Sequence, residues 1–278
     1  MIELYNRSCN ECSQLVTNNY STSFSMGIKL FASEFRTPIY NIYGFVRFAD
    51  EIVDTFHDHD KAQLISEFRK DTFKAIDRGI SLNPILHSFQ ETVNRYAIDR
   101  SLIDAFLYSM EMDLTFTRFD QSEYEKYIYG SAEVIGLMCL SVFVDGNIGE
   151  YERLRPSAMK LGSAFQKINF LRDIKSDYDE RGRIYFPYLD FVSFDDLQKR
   201  KIEDEIQGEF TEALNGIREL PAGARLGVYL AYKYYTKLLK RIKKCSVEQV
   251  RKQRIRVPDA RKLLLVGTST LRYQLRVI

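Results

Sequence analysis

Gln166–Pro187 reads QKINFLRDIKSDYDERGRIYFP, and its spacing is that of a helix carrying a polar stripe. Gln166, Asn169, Asp173 and Asp177 fall at offsets 0, 3, 7 and 11, one continuous line down a helical face. Ile168, Phe170, Leu171 and Ile174 on the other sides are apolar, so the stripe is flanked by core-forming residues. Two carboxylates four residues apart on one helix repel each other. Amides and carboxylates placed together among apolar neighbours ask for a buried ligand, and an all-oxygen donor set suits a hard cation such as Mg²⁺.

Working outward, the rest of the chain also reads as helical. Period-2 alternation is rare, and 3.6-residue periodicity recurs between breakers. Thr37-Pro38 has the form of an N-cap followed by proline and predicts a helix from Pro38 to about Phe56. Further helices are expected from Asp60 to Arg78, ended by Gly79, and from Asn83-Pro84 to Tyr96. Others are expected over Asp99–Thr117, Ser122–Val144, Gly149–Tyr178, Phe194–Leu220 and Ala222–Lys244, with a last one from about Pro258. The linkers are short and no repeat is visible, so residues 1–278 are expected to form a single all-α domain.

The helix from Pro38 carries a second acidic constellation. Tyr43, Arg47, Asp50 and Asp54 lie at offsets 0, 4, 7 and 11, and Glu51 adds a third carboxylate. A lone acidic pair at this spacing is usually a solvated face. Two such pairs, each preceded by polar groups in register, point instead to two facing walls. Several buried carboxylates cannot stand alone. Divalent cations neutralise them, and Mg²⁺ completes its shell with substrate phosphates, which makes a diphosphate ester the natural ligand. Ionisation of such an ester leaves a carbocation that needs a dry, aromatic-lined cavity. The 18 Tyr and 19 Phe, with no Trp, suit one.

Composition excludes other classes. Net charge is +2 with 28% charged residues, which is no nucleic-acid signature. Met1–Asn10 is polar and gives no signal peptide, and the longest nearly apolar run, Val134–Val144, is too short for a bilayer at about 20 residues. A soluble, cytoplasmic protein is expected. Cys9 and Cys12 form a C-x-x-C pair without zinc-spaced partners, so a structural or incidental role is expected. His57-Asp58-His59-Asp60 reads as a polar turn.

These motifs together resemble the squalene/phytoene synthase family, which joins two prenyl diphosphates head to head. Tyr43-x-x-x-Arg47-x-x-Asp50-Glu51-x-x-Asp54 is similar to the family's first aspartate-rich motif. Gln166–Asp177 followed by Arg183-Ile184-Tyr185-Phe186-Pro187 is similar to the second. MEMDL with Asp113, and YIYGSAEVIGLM with Tyr129, resemble the central signature, and Tyr20–Phe24 resembles a diphosphate-contacting loop. The resemblance runs nearly end to end and looks most like bacterial phytoene synthases.

The resemblance implies an isoprenoid synthase-type helical fold with a central apolar cavity. It implies Mg²⁺ (or Mn²⁺ in its place) on Asp50, Asp54, Asn169, Asp173 and Asp177, and diphosphate contacts from Arg47, Arg172, Ser21 and Ser23. Phe24, Tyr235 and Arg254 would join the substrate site, and Tyr43, Tyr129, Tyr185 and Gln166 the reaction centre. Asp113 is either structural or near that centre. The implied reaction converts two geranylgeranyl diphosphates to 15-cis-phytoene through a cyclopropyl diphosphate, without a nicotinamide cofactor. Dehydrosqualene or squalene synthesis from farnesyl diphosphate is the alternative within the family, and a non-catalytic assembly or interaction role the alternative outside it. A monomer is expected.

Two positions depart from the family pattern: Glu51, where many members have aspartate, and Glu133, where a small residue is usual. From Lys233 to Lys262 twelve Lys/Arg face only Glu248 and Asp259. That run reads as a solvated basic face, as a diphosphate contact through Arg254, or as peripheral attachment to an anionic membrane.

Overall fold

The computed structural model describes residues 1–256, 267–270 and 273. The helix expected from Pro258 and the side chain of Ser23 lie outside the described residues. Twelve α-helices in chain order make up nearly all of the rest. They are α1 Ile2–Tyr20, α2 Thr22–Ile28, α3 Ser33–Asp54, α4 Lys61–Arg78, α5 Pro84–Arg95 and α6 Arg100–Thr115. After these come α7 Gln121–Ile128, α8 Val134–Phe143, α9 Ile148–Arg181, α10 Asp196–Glu219, α11 Ala222–Ile242 and α12 Val247–Lys252. Among the described residues the only β-pairing is an isolated bridge between Arg118 and Ile184. All-α architecture is as the periodicity predicts.

Boundaries follow local chemistry. Asp60, Asn83, Asp99 and Asn147 accept backbone N–H bonds as N-caps of α4, α5, α6 and α9. Gly79 and Gly182 end α4 and α9 in the left-handed region, at φ 67° and 62°. One expected start is corrected: α3 begins at Ser33, and Pro38 lies inside it rather than at its first position. As the sixth residue, Pro38 forfeits a single intrahelical bond. The first turn is held by other means, with the Ala32 N–H on the Gly223 carbonyl and Arg36 Nε on the Phe31 carbonyl.

Two helices escape a hydrophobic-pattern reading. α1 buries Cys9, Ser13 and Thr17, a stripe of small side chains, and Ser13 Oγ lies 2.7 Å from Ser88 Oγ. That face admits α3 so closely that a Cβ on Gly44 would come within 2.9 Å of Ser13 Oγ. α12 is one short turn-and-a-half, set by the Ser246–Gln249 capping box. The expected single helix Ser122–Val144 is interrupted at Tyr129–Glu133 by a π-helical segment. There Gly130 packs on α6, where a Cβ would meet the Ala105 carbonyl at 2.4 Å. Gln121–Phe143 has the length and hydropathy to cross a membrane although its apolar run alone looks short, and most of it is buried in the core.

The core has two parts. One gathers α3, α4, α5, α6 and α8 around Phe45, Phe89 and Phe106, with Phe45 and Phe89 stacked at 3.9 Å. The other gathers the second half of α9, α10, α11 and α12 around Ile168, Leu171, Ile206, Phe210 and Leu238. α9, 34 residues long, runs past both.

Candidate active site

The α3 stripe is held largely by its own helix. Arg47 pairs with Glu51 one turn on and lies 3.8 Å from Asp50, and its guanidinium sits 4.4 Å over the Tyr20 ring. Tyr43 hydrogen-bonds Ser21, and burial raises its pKa above the phenol range against the pull of Arg47. Ser21 closes α1 and caps α2, accepting from the Phe24 N–H at 3.2 Å. Phe24, 40% exposed, lies 5.0 Å from Tyr43 at the rim.

The α9 stripe is held from elsewhere in the chain. Asp173 takes Arg172 Nε at 3.0 Å and Arg254 Nε at 2.7 Å, and Arg254 lies 81 residues away. Asn169 accepts from the Tyr235 hydroxyl at 3.3 Å and donates to Gln166 at 3.4 Å. Tyr235 stacks on Phe165 at 4.0 Å and is held above the phenol range by burial. Asp177 is 7% exposed, and its carbonyl accepts the Arg183 N–H.

A buried knot joins the walls. Asp113 accepts from Tyr127 at 2.7 Å and from Tyr185 at 3.2 Å, and pairs with Arg183 at 3.2 Å. Burial pushes its carboxyl up to about 6 in spite of Arg183 and the Tyr127 hydroxyl. Asp54 from α3 adds to that rise, while Asp177 from α9 acts likewise on Tyr185, so both acidic walls reach this knot. Asp113 is thus near the centre as well as structural. Tyr127 and Arg183 are the members that a stripe reading misses, since neither lies on an acidic helix face. Tyr129, expected beside them, is not among the cavity-lining residues and packs against the first core cluster.

Behind the acidic mouth lies an apolar cavity of about 440 Å³. Ser21, Phe24, Gln166, Asn169, Arg172 and Tyr235 line its polar end. From there Leu161, Ala158 and Leu154 continue the same face of α9. Leu154 to Arg172 is 18 residues, so the lined face extends about 27 Å at 1.5 Å per residue. Glu133 does not face this space: it lies toward Lys160, Lys167 and Glu209, and burial with Glu209 pushes it up to about 7. Lys167, buried, holds Glu209 at 2.7 Å and also pairs with Glu205. The four cysteines are free, and His57 sits in an exposed turn against Lys61, as expected.

Among the described residues no three His, Cys, Asp or Glu side chains converge into a cation site of their own. The donor set still fits a hard cation that is shared with phosphate, because such an ion needs one or two carboxylates and fills its shell with phosphate oxygens and water. Each wall supplies an aspartate pair one turn apart, with a guanidinium beside it.

Helical walls bearing aspartates and arginines at the mouth of a deep apolar cavity define an isoprenoid synthase fold. Residues 17–261 match the squalene/phytoene synthase family, and the chain belongs to it; it is a prenyltransferase. It is 27% identical over 287 residues to a phytoene synthase of Arthrospira platensis, covering 94% of this chain and 92% of that one. It is 28% identical over 267 residues to a chloroplastic phytoene synthase of Arabidopsis thaliana, covering 86% of this chain and 60% of that one. In fold it is similar to a dehydrosqualene synthase crystal structure, with TM-score 0.82, 17% identity and coverage of 97% of this chain and 98% of that one. A squalene synthase from Alicyclobacillus acidocaldarius gives 0.75 at 20% identity, over 87% and 95% of the two chains.

Proposed function

We propose that the chain joins two geranylgeranyl diphosphates head to head, releasing diphosphate from each, to form 15-cis-phytoene through a cyclopropyl diphosphate in carotenoid biosynthesis. The observation that carries this reading is the length of the apolar face on α9. An extended chain advances roughly 3.5 Å per three bonds, so a four-carbon isoprene repeat spans about 4.5 Å. Four repeats need about 18 Å of the 27 Å face, which leaves room for the diphosphate at Arg172. Three repeats would leave the deep third unfilled. The phytoene synthase relatives favour the same product.

Each end of the cavity has its task. Arg47, Arg172, Arg254 and Ser21 bind diphosphate oxygens, the arginines by paired N–H donors. Arg172 and Arg254 clasp Asp173 in the absence of substrate, so an arriving diphosphate finds its donors already oriented. Asp50, Asp54, Asn169, Asp173 and Asp177 would hold Mg²⁺, or Mn²⁺ in its place, which when bound neutralises charge on the leaving diphosphate. Tyr43, Tyr235 and Phe165 present electron-rich faces to developing positive charge, and Phe24 covers the rim against water. Tyr185, tied to Asp113 and Arg183, keeps a neutral hydroxyl next to Asp177. The protein works in the cytoplasm, where the exposed Lys237, Lys240, Lys244 and Lys252 support peripheral contact with an anionic membrane.

The test is incubation of the purified protein with Mg²⁺ and either the C20 or the C15 diphosphate, with and without NADPH. Phytoene from the C20 substrate without reductant is expected. Hydrocarbon from the C15 substrate alone would transfer the reading to dehydrosqualene or squalene synthesis, and no diphosphate release from either would leave a non-catalytic role.

A further inference from the structure

The deep end of the cavity is closed where five helices converge. Phe31 follows α2, Leu140 and Phe143 end α8, Leu154 lies early in α9, and Leu220 follows α10. Phe31 and Phe143 are both 7% exposed, with ring centroids 5.1 Å apart, and together they face the cavity from two sides. Phe35 meets Phe143 edge-on at 5.7 Å from behind, so that ring cannot retreat.

Phe31 has no such backing side chain on α11. Its ring rests on the backbone at Gly227, where a Cβ would come within 2.3 Å of Phe31 Cε1 and 2.5 Å of Cδ1. The same Cβ would lie 3.0 Å from the Gly27 carbonyl, so α2 and α11 are already in close contact. Gly227 is an ordinary helical residue without a positive φ, and its missing side chain serves space rather than conformation.

We propose that Gly227 and Phe31 together set the length of prenyl chain the cavity accepts. Phe31 is the wall that the chain's far end meets, and Gly227 is the positioning residue that lets this wall stand back. The inference rests on the prenyltransferase reading and adds to it which residues measure the substrate. Enlarging the space at Phe31 lengthens the accepted chain; filling the space at Gly227 drives the ring inward and shortens it.

The test compares wild type, Phe31→Ala, Phe31→Leu, Gly227→Ala and the Gly227→Ala/Phe31→Leu double variant, each checked for helical circular dichroism. Chain length is read twice, as hydrocarbon formed from C15, C20 and C25 diphosphates and as binding of the unreactive thiolo-diphosphate analogues of the same lengths. Phe31→Ala should raise the preference for the next longer chain about tenfold or more, with Phe31→Leu intermediate. Gly227→Ala should shift preference toward the shorter chain, and Phe31→Leu should reverse that shift in the double variant. Unchanged binding ratios across the Phe31 variants would overturn the proposal. Because binding is read apart from turnover, a wild type that makes no hydrocarbon would count against the reaction while still testing the wall.

Discussion

The acidic stripes on α3 and α9 are nearly superimposable as sequence and built differently as structure. On α3 the partners are neighbours: Arg47 reaches Asp50 and Glu51 three and four residues away, on a half-exposed face. On α9 they come from across the chain. Arg254 reaches Asp173 over 81 residues, and Arg183 ties the end of the helix to Asp113 over 70. From behind, Lys167 anchors α9 to Glu205 and Glu209 on α10. The first wall is a property of one helix, whereas the second exists only once the fold has closed.

The largest expected effect would show the walls to be equal in catalysis. Asp173→Asn and Asp50→Asn should each lower diphosphate release roughly 10³-fold with the helical signal intact. Retained turnover in either would reduce the clamp to a single wall. Stability should separate them. Arg183→Met strands a buried carboxylate and should cost about 3 kcal/mol or more in urea unfolding. Arg47→Met removes near-surface pairs and should cost about 1 kcal/mol. Equal losses would erase the contrast between a local and a remote construction.

A smaller effect tests the rear of α9 through pH. Glu133 is pushed up to about 7 from 4.5, so between these values the folded protein holds a proton that the unfolded chain releases. Stability therefore falls as pH rises through that window. Glu133→Gln should match wild type near pH 4 and exceed it by about 1–2 kcal/mol above pH 7, after allowance for solvent screening. Parallel stability curves would mean that Glu133 is charged at neutral pH without penalty. The smallest effect is that of Arg254→Ala. Its guanidinium is half exposed, so the loss in unfolding free energy should stay under about 1 kcal/mol. The Michaelis constant for the diphosphate should nevertheless rise, and an unchanged one would confine Arg254 to bracing Asp173.

The same contrast explains what could be read beforehand. Both stripes were visible because their members are one helical turn apart, and 3.6-residue periodicity made the all-α class plain. The knot of Asp113, Tyr127, Arg183 and Tyr185 was only partly visible, because its members lie on separate elements and meet only in three dimensions. Tyr127 and Tyr129 show how finely this turns. Two residues apart, one lies in the knot and the other against the first core cluster. α1 was hidden because its buried face is Cys9, Ser13 and Thr17, residues chosen for small size rather than hydrophobicity. Pro38 misled because its usual place is the first helical turn, whereas here tertiary bonds to Gly223 and Phe31 hold the turns before it.

The π-helical segment Tyr129–Glu133 has a consequence for how the chain tolerates change. A π-turn holds one residue more than an α-turn, and each residue of an α-helix rotates the path by about 100°. Deleting any single residue between Tyr129 and Glu133 would let the segment relax to a plain α-helix. Val134–Phe143 would then turn out of phase, swinging Ile135, Cys139 and Phe143 away from the cavity they line. This five-residue stretch is therefore a phase marker. Length, rather than residue identity, is what it cannot give up.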